Sequence, residues 1–422
     1  MKVLLIGGGG REHALGWKIA QSPKLSKLYL APGNPGLNQF GSPVDLSDTD
    51  IDGITKFAVE KSIDLVVVGP EAPLALGLGD KIRAAGIACF GPDKAAAELE
   101  SSKSFMKDVC GAAGAPTADY GKFTEAGAAK AFLARQTPPY VIKADGLAAG
   151  KGVVVTEDKQ EAEAAIDEML AGRFGAAGAT IVIEEFMHGE EASFFVVTDG
   201  VSIAPLIAAQ DHKRAFDGDE GPNTGGMGAY SPTPVFTDTV RRRTMNEIVS
   251  PIVNEMRSRG TPYQGVLYFG LMIENEAPRL VEINARFGDP ECQVIMRRME
   301  SDILPLLFAA ATNTLSGQKT SWRDDAAALV VYAANGYPEK YEKGSAIAGV
   351  DAANAIDGVE VFHAGTRIEN GALVSAGGRV LNVTATGASI KDAVARAYEA
   401  INEIDWSDGF YRKDIGWRAI NG

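Results

Sequence analysis

The chain has 422 residues, of which 45% are hydrophobic and 23% charged, with a formal net charge of −14. That is the balance of an ordinary globular protein, long enough for roughly two to four packed units at about 150 residues each. The negative balance excludes broad attraction to nucleic acid or anionic lipid, so an anionic ligand must meet a locally basic site. Three scattered cysteines, Cys89, Cys110 and Cys292, make neither a zinc site nor a disulfide framework and fit a reducing cytoplasm.

The opening MKVLLIGGGG is too short for an export signal, lacks its cleavage site, and reads as a first strand. No apolar run approaches the roughly 20 residues that span a bilayer. Short apolar runs at Val3–Ile6, Leu28–Leu30, Leu65–Val68 and Ile87–Phe90 alternate with amphipathic stretches, which predicts a parallel, Rossmann-like sheet wound with helices. Gly7 to Gly10 follow the first run and precede a helix from His13 to Gln21, so Gly9 and Gly10 are candidate contacts for a substrate phosphate. A dinucleotide fingerprint fails here: its third glycine falls on Glu12, and the second strand ends without an acidic residue. A tight turn without a ligand is the plain alternative.

The rhythm then changes. A helix is expected over Ser101–Gly111, and strands at Tyr140–Ala144 and Gly152–Thr156 predict an antiparallel hairpin tipped by Gly146 to Gly152. The tip, GLAAGKG, is not a P-loop, because Gly152 and a β-branched strand follow its lysine. Its glycines, with Gly150 and Lys151, suit a mobile flap over polyphosphate; a merely flexible turn is the bland reading. Lys143 closes an apolar strand and must reach water or an anion, while Lys103 alone reads as a surface lysine.

A helix at Lys159–Leu170 and a strand at Thr180–Ile183 lead into EEFMHGEE, where Glu184, Met187 and Glu191 can edge a purine and its ribose; solvated acidic residues are the alternative. A long polar loop is expected from Gln210 to Pro234. Its basic Asp211-His212-Lys213-Arg214 and glycine-rich sequel look built to wrap an anion, although a lone histidine is more often structural.

A helix at 238–260 and strands at Tyr263–Ile273 and Pro278–Ile283 precede the strongest local signal, RLVEINARFGDPE, Arg279 to Glu291. Strand alternation sets Glu282 and Asn284 on one face and turns Val281 and Ile283 into packing. Two oxygen donors suit a magnesium ion that keeps waters and phosphate oxygens; a buried, hydrogen-bonded glutamate is the alternative. Arg286 can grip a carboxylate or phosphoryl group with two prongs, or else pair with Asp289. From about residue 325 the pattern is strand-rich, with Ala326–Ala333, a turn at Glu369–Gly371 and a helix from Ser389 to Asn402. The sequence has no Cys/His cluster and no G-x-S-x-G, which argues against zinc hydrolysis and serine esterase chemistry.

Taken in order, GGGGREHAL, APGNPG, DLVVVGPEAPL, VIKADGLAAGKGV, EEFMHGEEASF, DHKRAFDGDEGPNTGGMGAYSP and VEINARFGDPE resemble the phosphoribosylamine–glycine ligase family of the ATP-grasp superfamily over nearly the whole chain. The resemblance implies a multidomain α/β and α+β fold. Its parts would be an N-terminal α/β substrate domain over 1–101, an ATP-grasp region over 102–324 with a small flap unit at about 116–190, and a strand-rich C-terminal domain over 325–422.

It also implies ligation of glycine to 5-phosphoribosylamine with ATP, through glycyl phosphate, in de novo purine biosynthesis. The enzyme would be a cytoplasmic monomer without nucleic acid or membrane partners. Carried over residue by residue, Lys103, Lys143, Gly150 and Lys151 contact ATP phosphates, Glu184 and Met187 the adenine edge, and Glu191 the ribose. Glu282 and Asn284 hold Mg²⁺ or Mn²⁺. Gly9, Gly10, Asp211, Lys213, Arg286, Gly288 and Asp289 meet the other substrates, with Arg286 and Lys143 acting in catalysis. Gly270 departs from the wider superfamily, where many relatives place a second metal carboxylate. Two rival readings are an ATP-grasp ligase for a different acid or amine, and a nucleotide-binding module without chemistry.

Overall fold

The computed structural model describes residues 1–146 and 152–421. Near the N-terminus, strand β1 (Lys2–Gly7) is flanked by β2 (Lys27–Pro32), β3 (Ser42–Pro43), β4 (Leu65–Val68) and β5 (Ala88–Phe90) in the order β3-β2-β1-β4-β5, all parallel. Its apolar runs do not alternate because helices cover both faces. Leu4 and Ile6 pack with Ile54, Leu74 and Ile82, whereas Val3 and Leu5 pack with Leu15 and Ile19 of helix α1 (Gly10–Ala20). The same cluster takes in Cys292, Ile295 and Met296 of the helix Glu291–Arg298, so α1 is the seam between this sheet and the rest of the chain.

A second, antiparallel sheet has the order β6-β9-β7-β8, from β6 (Tyr120–Phe123), β7 (Tyr140–Ala144), β8 (Val153–Thr156) and β9 (Ile181–Glu184). The expected hairpin is present, with Tyr140 opposite Thr156 and Lys143 opposite Val153. Ile142 and Ala144 pack against Ala129, Leu133, Ala162 and Ile166 of the covering helices. Alternation along β7 therefore turns Val141 and Lys143 to the opposite face, which lines a cleft.

The largest sheet uses β10 (Glu190–Thr198), β11 (Ile203–Asp211), β14 (Gly228–Ser231), β15 (Gly265–Glu274), β16 (Ala277–Asn284), β17 (Ala326–Ala334), β18 (Val359–His363) and β21 (Arg379–Gly387). Their order is β16-β15-β10-β11-β14-β17-β21-β18, β22 (Gly409–Phe410) pairs beside β17, and β19 (Thr366–Glu369) pairs with β20 (Ala372–Ser375) as a separate hairpin. Helices Lys103–Ala113 and Ser250–Ser258 cover one face of its β10 and β15 strands, where Phe194, Leu267 and Phe269 pack with Val109 and Ile252. On the other face, Phe195 and Leu206 meet the helices Glu291–Arg298 and Ile303–Ala311.

Two expectations need correction. The stretch Gln210 to Pro234 is not a plain loop: it holds a hairpin of β12 (Arg214–Phe216) and β13 (Glu220–Asn223), then β14. Its glycines and charges hide any strand period, and β14 becomes a strand because β11 and β17 supply hydrogen-bond partners on either side. Val281 does not follow Ile283 into packing. Gly270 pairs with Glu282 and Leu271 with Leu280, which leaves Val281 as the extra residue of a bulge facing the cleft.

Gly8 makes the closest approach to backbone in the N-terminal turn. A Cβ there would lie 2.4 Å from the Gly33 carbonyl oxygen. Asn34 Nδ2 donates to Gly8 O at 2.8 Å and to His363 O at 2.9 Å, tying both loops to β18. Gly8→Ala must push backbone apart, so thermal denaturation should show a loss of about 1–3 kcal/mol. An unchanged melting temperature would reject this close approach.

Candidate active site

The cleft lies between the hairpin sheet and the β10–β11 and β15–β16 strands, and it has two connected compartments that share Val153, Asp211, Lys213, Thr224 and Glu282. One is an apolar slot of Val141, Val155, Met187, Met272 and Val281, edged by Glu184 and Glu191. The other is polar and opens toward Lys103, Asn284, Arg286, Gly288 and Asp289. A flat apolar ligand with a polar tail matches that division.

Lysines gather where the compartments meet. Lys143 Nζ lies 2.7 Å from Glu184 Oε2, and the buried Lys107 Nζ lies 3.1 Å from Glu184 Oε1. Burial pushes the Glu184 carboxyl up, but Lys143 and Lys107 outweigh it and hold its pKa below the usual value. Lys103 begins its helix beside Asp145, which accepts from the Ser104 N–H, while Asp145 O accepts from the Lys103 N–H at 3.0 Å. Burial lowers the Lys103 pKa, and Glu282 opposes this. The end of the hairpin strand β7 is thereby tied to the start of the lysine-bearing helix.

Glu282 and Asn284 project from β16 into the polar compartment, with Asn284 Nδ2 3.5 Å from Glu282 Oε1. Turning that amide over places two oxygens side by side, a donor pair that fits a hard divalent cation. Among the described residues no group of three or more His, Cys, Asp or Glu is arranged to hold a metal ion, so further ligands would have to be phosphate oxygens and water. Burial raises the Glu282 pKa, but Lys213, Lys143 and Lys103 outweigh it and leave the carboxylate below its ordinary range.

Beside this pair, Lys213 contacts Glu191 directly. Burial opposes the Lys213 charge, yet Glu191, Tyr268 and Asp211 hold it well above the usual lysine value. Asp211 goes the other way: burial first, then Glu291, Glu191 and Glu282, push it up to about 8 against the pull of Lys213. Glu291 accepts from Ser193 Oγ at 2.8 Å, and Ser193 stands opposite Gly270 in the sheet. A Cβ at Gly270 would lie 3.1 Å from Glu282 Cγ and 3.3 Å from Tyr268 Cε1, and Ser193 Oγ joins Tyr268 to Glu291 on the same side.

Arg286 pairs with Glu71 at 3.1 Å and Glu100 at 3.2 Å, not with Asp289. Both partners come from the N-terminal third of the chain and lock the guanidinium in the wall of the cleft. Asp289 instead accepts from Gln293 Nε2 at 2.9 Å and lies 3.5 Å from Arg379 Nη2. Arg379 also donates to Gly225 O and Asp289 O, both at 2.7 Å.

Of the residues singled out in the sequence, Lys103, Lys143, Glu184, Met187, Glu191, Asp211, Lys213, Glu282, Asn284, Arg286, Gly288 and Asp289 line the cleft. Gly9 and Gly10 do not line it. Gly9 N–H donates to Glu12 Oε2 at 2.7 Å, and Gly10 is pressed against Asn382 and Gln293. Gly150 and Lys151 lie outside the described residues. Sequence reasoning missed Lys107, Glu291, Tyr337 and Arg379, which border the site or its lysines. Glu291 carried a faint signal as the last acid of RFGDPE, whereas Lys107, Tyr337 and Arg379 gave none.

Two antiparallel sheets closing on an apolar slot, with lysines and a carboxylate–amide pair at its polar end, define an ATP-grasp protein. Models of the phosphoribosylglycinamide synthetase N domain, ATP-grasp (A) domain and C domain match residues 1–100, 101–292 and 327–418. The chain belongs to the phosphoribosylglycinamide synthetase family.

A phosphoribosylamine–glycine ligase of Rhizobium meliloti is 58% identical over 100% of this chain and 99% of its own length. One from Brucella melitensis is 56% identical over 100% and 98%. The crystal structure of phosphoribosylamine–glycine ligase from Thermotoga maritima superposes with a TM-score of 0.86 at 30% identity, covering 98% of this chain and 100% of that one. A biotin carboxylase from Campylobacter jejuni shares the fold, with a TM-score of 0.74 at 16% identity over 100% of this chain and 95% of its own.

The raised Asp211 has a measurable consequence. Between the ordinary aspartate value of 3.8 and about 8, the folded chain holds a proton that the unfolded chain has lost. Stability of the metal-free protein should therefore fall as pH rises through that window and level off above it. Thermal melts of Asp211→Asn at pH 5 and pH 8 should show a weaker dependence than wild type; equal dependence would reject the shift.

Proposed function

We propose that this chain joins glycine to 5-phosphoribosylamine, converting ATP to ADP and phosphate and giving glycinamide ribonucleotide through glycyl phosphate. Its relatives are named phosphoribosylamine–glycine ligases, and the reaction belongs to de novo purine biosynthesis. The observation that carries the reading is the convergence of Lys103, Lys143, Glu282, Asn284 and Arg286 on one cleft beside an apolar slot.

In this reading the adenine lies in the slot against Met187 and the Glu184 segment, and Glu191 turns to the ribose. Lys103, Lys143 and Lys151 neutralise the phosphates, and Gly150 contacts them. Glu282 and Asn284 would hold Mg²⁺ or Mn²⁺, which would supply charge neutralisation to the phosphate groups. A glycine carboxylate oxygen attacks the terminal phosphorus, the bond to the ADP oxygen breaks, and an acyl phosphate forms. The sugar amine then attacks the acyl carbon, expels phosphate and loses a proton.

The protein's contribution is positioning and charge. Arg286, fixed by Glu71 and Glu100, offers its remaining N–H groups to the migrating phosphoryl group. Asp211, Lys213, Gly288 and Asp289 border the room left for glycine and the sugar, and Gly9 and Gly10 support that wall from behind. The hairpin excludes water, which would otherwise hydrolyse the intermediate. We assign residues 1–101 to the sugar substrate, 102–324 to ATP with the flap at about 116–190, and 325–422 to a C-terminal unit. We place the enzyme in the cytoplasm as a monomer. Among the described residues no helix is long and apolar enough to cross a membrane.

ADP release should require both glycine and phosphoribosylamine; equal turnover with bicarbonate would overturn the assignment. Glu282→Gln should cut turnover by at least about tenfold and raise the magnesium concentration needed for half-maximal rate. Unchanged kinetics at low magnesium would refute the metal role.

A further inference from the structure

The proposed chemistry leaves the enclosed ammonium of Lys107, next to the cleft, without a task. Lys107 sits one helical turn beyond Lys103, and its side chain has 0% exposure. Its ammonium donates to Thr117 Oγ1 at 2.8 Å and Ala118 O at 3.2 Å, and faces one oxygen of Glu184 at 3.1 Å. The other Glu184 oxygen, 2.7 Å away, faces Lys143. One carboxylate at 2% exposure therefore serves two ammoniums, of which only Lys143 lines the cleft.

Charge balance gives this arrangement a purpose. A buried Glu184–Lys143 pair alone would be neutral, and the carboxylate would hold the Lys143 ammonium against any approaching phosphate. Adding Lys107 on the closed side leaves one positive charge in surplus. That charge appears on the open side, because Lys107 is walled in, donating to Thr117 Oγ1 and Ala118 O with Glu184 Oε1 in ionic contact. The segment Thr117–Ala118 fixes Lys107 from behind, so it cannot follow Lys143 toward a ligand.

We propose that Lys107 is a positioning residue that neutralises Glu184, so that the Lys143 ammonium stays available to a nucleoside triphosphate's phosphate groups. The inference rests on the nucleotide reading of the cleft given above. It differs from a purely structural role, in which Lys107 would only tie its helix to the Thr117–Ala118 segment.

The test is a charge cycle with Lys107→Met, Glu184→Gln and the double variant, read as KM for ATP, KM for glycine and calorimetric affinity for MgADP. Lys107→Met should raise the ATP KM by about tenfold while the glycine KM stays unchanged. In a Glu184→Gln background, which takes the adenine-edge contact out of the comparison, Lys107→Met should cost nothing further, because a neutral amide no longer holds the Lys143 charge. A wild-type ATP KM in Lys107→Met, or a double variant worse than Glu184→Gln alone, overturns the proposal. If Lys107→Met does not fold, Glu184→Gln and the double variant decide. Equal ATP KM values support the proposal, since Lys107 acts only through Glu184, and a further loss in the double variant refutes it. Failure of the wild-type protein to bind MgADP would instead sink the nucleotide reading of the cleft.

Discussion

A charge withdrawn from water has to be matched, and the cleft of this protein is organised by that constraint. Lys107 and Lys143 share Glu184, Lys213 is held by Glu191, Arg286 is braced by Glu71 and Glu100, and Arg379 backs Asp289. Each match joins segments far apart in the chain, so electrostatic satisfaction and tertiary assembly are one problem. Where matching is incomplete, as among Asp211, Glu291 and Glu282, burial first and then the neighbouring negative charge make the Asp211 carboxyl keep its proton up to about 8. Incomplete matching of that kind is what a substrate ammonium or a cation would relieve.

The scaffold keeps these groups in place through rigid contacts behind them. α1 packs its Ala14, Leu15 and Ile19 onto the helix Glu291–Arg298, so the N-terminal sheet and strands β10, β11 and β15 share one apolar seam. Arg11 crosses the seam: its Nε pairs with Glu12 and its Nη1 donates to Phe287 O at 3.1 Å. On the far side, β14 and β17 continue the central sheet into the C-terminal strands, which brings Arg379 to the wall of the cleft. The hairpin sheet is held at the cleft's edge by β7 and β9, and the Asp145 contact couples its end to Lys103.

Most elements were legible because local periodicity sets them. The buried runs of β1, β4 and β17, the hairpin of β7 and β8, and the helix ending at Asn402 all appear close to where hydrophobic spacing predicts. The Glu282/Asn284 face was legible for the same reason, since strand alternation is a local rule. The bulge at Val281 was not, because it arises from register against β15, and no feature of the segment itself announces an extra residue. The β12–β14 region was missed for a related reason: its strands are short and polar, and they exist only through pairing.

Local order of residues, through periodicity and the chemistry of neighbouring side chains, settles which segments become strands and helices and which carry oxygen donors, lysines and glycine turns. Long-range packing alone settles partnership. Arg286 meets Glu71 and Glu100 rather than nearby Asp289, Glu191 closes on Lys213, and Lys107 reaches Glu184 from a helix that looked ordinary. Coulomb attraction depends on distance in space and on exclusion of water, and neither quantity exists until the chain has folded.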